Sequence, residues 1–169
     1  SSSSSSSSSS SFLIVIGHFP ILSVGEHGDS DRLAAMLLPL FAEHRVDMYV
    51  SGHDHTMQHS ELDGVHFVVS GNGAKHGSVD RGTVTHATFS ADEDEDEDGD
   101  EDEGDAGDET HTGPSFEYEG TTDRVTHFAA VDPGFAAHRV ELDGGDGRAQ
   151  LRTSFINTRG EVTHTFLLE

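Results

Sequence analysis

No cysteine or tryptophan occurs in the 169 residues, and Lys75 is the sole lysine. Without thiols there are no disulfides and no thiolate-ligated metals, so a transition-metal site has to be built from imidazole and carboxylate. Cationic side chains are scarce. Nine Lys and Arg stand against 32 Asp and Glu, giving a formal net charge of −23. Duplex DNA and anionic lipid both select a cationic footprint, which argues against a nucleic-acid or membrane-surface partner. Hydrophobic runs are short as well, and none approaches the ~20 apolar residues of a membrane-spanning helix. Polyserine at the start has neither the basic nor the apolar part of a secretion signal.

Two segments lack the apolar side chains needed to offset their ordering entropy. One is the serine tract of residues 1–11. The other is an acidic stretch, read as an insert over residues 91–115, in which Asp92–Glu109 alone holds fourteen Asp or Glu. Both are expected to be disordered. The rest divides into a core over residues 12–90 and a strand-rich part over 116–169 that completes the same domain. Excluding Asp92–Glu109, eighteen acids still face nine bases, so the folded part is acidic too.

Within the core, Phe12–Ile16 is apolar on both faces, as in a strand covered from two sides. Gly17–Gly28 reads as a long loop. Asp29, Ser30 or Asp31 caps a helix running to about His44, with Leu33, Met36, Leu37, Leu40 and Phe41 as its buried stripe and Pro39 interrupting it. Val46–Val50 returns as a second strand, and strand–helix–strand implies a right-handed parallel crossover. Thr56–His59 and Val65–Val69 pair about Asp63-Gly64, a hairpin signal. Thr83–Phe89 reads as another strand. Ala136–Leu142, Ala149–Ile156 and Val162–Leu168 form an antiparallel meander joined by turn-rich segments. The fold class is α/β, with a mixed sheet and antiparallel C-terminal strands.

Histidine is abundant, with thirteen in the chain. A His-x-His pair is therefore expected about once by chance, and His53/His55 gains weight only from its setting. It follows the second strand through Ser51-Gly52, while His18 follows the first strand through Gly17. Parallel neighbours bring their C-terminal ends side by side, where ligands gather in such sheets. In an extended segment His53 and His55 share one side and Asp54 points away. Three neutral imidazoles suit first-row metals. A two-metal site needs a bridging carboxylate besides, and neither Asp54 nor Asp29 has a positional claim to that role. His44, His59, His66, His76, His86, His111, His127, His138 and His164 receive no role.

Gly17-His18-Phe19-Pro20, Gly25-Glu26-His27-Gly28 and Ser51-Gly52-His53-Asp54-His55 together resemble the C-terminal half of calcineurin-like metallophosphoesterases, most closely the small, tartrate-resistant type of purple acid phosphatase. The resemblance implies a four-layer α/β/β/α sandwich and a dinuclear centre of Fe(III) plus a divalent ion (Fe, Zn or Mn). It places His18 and His53 on the divalent ion and His55 on the iron, with His27 beside the substrate assisting the leaving group. The implied activity is hydrolysis of small phosphate monoesters by metal-activated hydroxide. By resemblance, such a protein is secreted or resides in vesicles or lysosomes.

The family's N-terminal motifs, which supply the bridging Asp, a Tyr, an Asn and a further His, have no counterpart. The chain is thus expected to be a fragment that requires an N-terminal half in cis and is inactive alone. Gly71-Asn72-Gly73 is read as a structural turn. Two alternatives stand beside this reading. One is an inactive acidic protein that binds cations or a partner on a relic phosphatase scaffold. The other is a phosphodiesterase of the same superfamily.

Overall fold

The computed structural model describes residues 11–75, 77–79, 124–142 and 148–169. The expectations for the serine tract up to residue 10, the strand 83–89, the acidic insert 91–115, the turn 143–147 and His76 fall outside these residues.

The described chain forms β1 (Ile14–Ile16), α1 (Asp31–His44), β2 (Met48–Ser51), β3 (Met57–Leu62), β4 (Val65–Ser70), β5 (Val125–Ala130), β6 (Gly134–Leu142), β7 (Ala149–Asn157) and β8 (Val162–Leu168). The first five strands make one sheet in the order β1-β2-β4-β3-β5, and the last three make a second in the order β6-β7-β8. β1, β2 and β4 are parallel, and β3 runs antiparallel to β4 and β5. The expected crossover, hairpin and meander are all present. β5 and the parallel pairing of β2 with β4 were not anticipated.

α1 begins where Ser30 Oγ accepts from the Leu33 amide, 3.4 Å away, with Asp31 in the first turn favouring the positive end of the helix dipole. It ends at Arg45, whose φ of 54° is left-handed. The helix runs through Pro39. Its buried side is Ala34 and Phe41, with Leu33, Leu37 and Leu38 packed beside them, while Met36 and Leu40 face outward. Of the expected stripe, Leu33, Leu37 and Phe41 face the core, while Met36 and Leu40 do not.

These side chains meet Tyr49, Leu62, Val65 and Phe67 on one face of the five-stranded sheet. On the other face Met48, Met57, Val68, Phe128 and Ala130 pack against Leu151 and Phe155 of the three-stranded sheet. The layers are helix, sheet and sheet. They are three of the four layers that the resemblance implies, and no second helix layer occurs among the described residues. β1 departs from the expectation of a strand covered on both sides. It borders the sheet among the described strands, and Ile16 is 78% exposed.

Candidate metal and phosphate site

The loops after β1 and β2 are stitched together at the strand ends. The Gly17 amide donates to Val50 O at 3.0 Å, and the Gly52 amide donates to His18 O at 3.1 Å. Tyr49 Oη reaches from β2 to donate to Phe19 O at 2.8 Å. Gly17 has to be glycine, because a Cβ there would collide with the Tyr49 hydroxyl. Burial raises the Tyr49 pKa, which keeps that hydroxyl a donor.

This stitching brings His18, His27 and His53 together. His53 Nδ1 lies 3.3 Å from His18 Nε2. The His27 and His53 ring centroids are 4.5 Å apart, and Phe19 packs against both His18 and His53. Burial lowers the His53 pKa, and the neighbouring His27 and His18 lower it further, so its neutral, metal-binding form is favoured. His55 is half-buried beside this group. It contributes to the field at His53, but its ring makes no hydrogen bond or ring contact among the described residues.

The segment carrying these residues is not extended. His53 has a φ of 65°, and the Asp54 amide bonds to Gly52 O while the Thr56 amide bonds to Asp54 O, both at 2.8 Å. The side-sharing of His53 and His55 expected of an extended segment therefore has no such backbone behind it. Asp54 is only 1% exposed. Its Oδ2 accepts a hydrogen bond from Ser23 Oγ, which in turn accepts from the Gly25 amide and from Gln58 Nε2, both at 2.9 Å. Gln58 Oε1 accepts from the Val24 amide at 2.8 Å. The buried network locks the 17–28 loop onto the histidine loop. Asp54 Oδ1 has no hydrogen-bond partner among the described residues and faces His27 Nε2 at 3.8 Å. Sequence reasoning missed Ser23, Asp54 and Gln58, since their only outward signal is small-residue spacing. Gly25 is part of that signal, because a Cβ there would sit 2.6 Å from Asp54 Oδ2.

A cavity of about 380 Å³ opens beside the rings, lined by Phe19, Pro20, His27, Asp29, Leu33 and His53 among others. Asp29 is held there by Arg124, whose guanidinium meets both carboxylate oxygens at 2.6 and 2.8 Å, and by the Ser23 amide at 2.7 Å.

Two nitrogens bound to one tetrahedral ion at ~2.0–2.1 Å lie roughly 3.3 Å apart. The His18–His53 separation of 3.3 Å matches two such corners. The described residues do not by themselves make up a two-metal centre. Among the described residues no group of three or more His, Asp or Glu is arranged to hold an ion, and Asp54 is turned into the Ser23 network instead of toward a bridging position.

The layered sheets and the paired histidine loops at their strand ends resemble those of metallophosphoesterases. No protein-family model matches the chain. Purple acid phosphatase 17 of Arabidopsis thaliana is 45% identical over 64 residues, which is 37% of this chain and 19% of that protein. Tartrate-resistant acid phosphatase type 5 is 43% identical over 63 residues in Sus scrofa and 41% over 63 residues in Homo sapiens. The match spans 18–19% of these curated relatives' own length. Among solved structures, GAP50, the anchor in the inner membrane complex of Plasmodium, aligns with a TM-score of 0.59 at 24% identity, covering 94% of this chain and 36% of that one. It shares the fold.

Proposed function

We propose that this chain carries part of a metal-dependent phosphomonoesterase site, with His18 and His53 as ligands to one ion, His55 as a ligand to a second, and His27 as the group that serves the departing alcohol. The observation that supports this most is the 3.3 Å approach of His53 Nδ1 to His18 Nε2 at the mouth of the cavity. The remaining ligands of a centre of Fe(III) with Fe, Zn or Mn come, in this reading, from an N-terminal half in cis. No step through that centre is assigned to the residues described.

The chain's own contribution is positioning. His27 lines the cavity, and the buried carboxylate of Asp54 lies behind it, with Oδ1 3.8 Å from His27 Nε2. A protonated His27 hands its proton to the ester oxygen as the bond to phosphorus breaks, and neutral His27 regains one from solvent. Phe19 and Leu33 supply apolar wall to the cavity. A small phosphate monoester fits the space; a secreted, vesicular or lysosomal setting belongs to the same proposal.

The test compares p-nitrophenyl phosphate hydrolysis and bound Fe and Zn for the 169-residue chain and for a form extended by a metallophosphoesterase N-terminal half. Turnover and two-metal loading only in the extended form support the proposal. Robust turnover by the 169 residues alone overturns the need for further ligands, and an inert extended form overturns the phosphatase reading.

A further inference from the structure

Four of the histidines left without a role meet on the face of the five-stranded sheet turned toward the three-stranded one. His59 on β3 is the hub and is 3% exposed. Its Nδ1 lies 2.9 Å from His164 Nε2 on β8, and its Nε2 lies 2.9 Å from His66 Nδ1 on β4. Phe166 of β8 stacks on the His59 ring with centroids 3.7 Å apart, and His127 of β5 stacks on it at 4.7 Å. His164 lies flat against Phe128 of β5 at 4.9 Å. Rings from both sheets are thus joined through imidazoles.

A neutral imidazole offers one N–H and one lone pair. The chain His66–His59–His164 is satisfied when all three are neutral with tautomers pointing one way: His66 Nδ1 donates to His59 Nε2, and His59 Nδ1 donates to His164 Nε2, or the reverse. One added proton can be housed, at the cost of a buried charge. Two added protons force an N–H against an N–H somewhere along the chain. The two His59 nitrogens face opposite ways, so the three rings cannot turn toward a single metal ion.

We propose that this imidazole chain is an acid-sensitive latch, which holds the three-stranded sheet on the five-stranded sheet while neutral and releases it once protonated. The inference is independent of the phosphatase reading.

Burial, reinforced by His127, His66 and His164, drives the His59 pKa down to about 2. Burial also lowers His66 and His164, the latter helped by His127. Among the charged groups facing the cluster, Glu61 on β3 and Asp47 before β2 oppose the shift at His66, and Glu61 also holds His127 at 3.1 Å. The direction in pH follows. Above ~6.5 the imidazoles are neutral whether the sheets are docked or apart, and the latch contributes fully. Below it, separated sheets take up protons that docked sheets refuse. Opening is then favoured by about tenfold per pH unit for each imidazole kept neutral.

The test follows side-chain ¹⁵N signals of the histidines and amide hydrogen exchange on the 169-residue chain as pH falls from neutral. The expected result is that His59, His66 and His164 stay neutral below the usual histidine range. They then gain protons together, as amides of β7 and β8 lose protection while those of α1, β1 and β2 keep theirs. Independent titration near the usual histidine value with unchanged protection overturns the proposal. So does acid unfolding of all elements at once. A His59→Phe/His164→Phe double variant, which keeps ring stacking, should stay docked at pH values that open the parent. Should it fail to fold, the parent titration decides alone.

Discussion

Asp54 lies between two candidate ligands and is committed to neither. Its buried carboxylate is spent on Ser23 and on facing His27, which makes it the residue on which the loop geometry turns. Removing it strands the Ser23 hydroxyl proton in the interior, while Gln58 keeps Ser23, Thr56 and the Val24 amide as partners. Asp54→Ala is expected to cost about 1–3 kcal/mol by urea denaturation, read as a lower midpoint at unchanged slope. Arg139→Ala, which breaks only an exposed pair with Glu141 at 3.7 Å, should fall within about 0.5 kcal/mol. Glycines give a similar contrast. A Cβ on Gly71 falls on the backbone carbonyl of Asp54, whereas one on Gly73 meets nothing within 4 Å. Gly71→Ala should therefore destabilise by about 1–3 kcal/mol and loosen the histidine loop, while Gly73→Ala does neither.

At the scale of elements, α1 carries its own weakness. Pro39 is exposed and sits well inside the helix, where it removes one ladder hydrogen bond. Pro39→Ala should raise the thermal midpoint, with a gain of up to about 3 kcal/mol. The hairpin of β3 and β4 was legible because Asp63 and Gly64 both take positive φ, 52° and 78°, as Asp-Gly turns favour. That two-residue turn also fixes the register. It sets Glu61 opposite His66 and His59 opposite Val68, so the inward face of His59 could have been read from the sequence. Its meeting with His127 and His164 could not, since β5 and β8 arrive from far along the chain and β5 carries no strong alternation. The histidine loop failed for another reason. A His-x-His pair after a strand reads as extended, whereas His53 is left-handed and Asp54 is buried.

For the molecule as a whole, the crossover and the pairing of the loops at the strand ends follow from the sequence, because parallel strands joined by a helix leave few alternatives; the layering is implied only by the family resemblance. β1 as a border strand with Ile16 exposed does not follow, since an apolar run reads the same whether or not a neighbour lies beside it. The central claim is that His18 and His53 face each other as two ligands of one ion in a shell that the described residues leave incomplete. Zn²⁺ titration calorimetry on the 169-residue chain, its His53→Ala variant and its His27→Ala variant tests it most directly. One weak site is expected in the parent, lost in His53→Ala and kept in His27→Ala, above whatever the acidic stretch binds in all three. Identical isotherms for the parent and His53→Ala would contradict it.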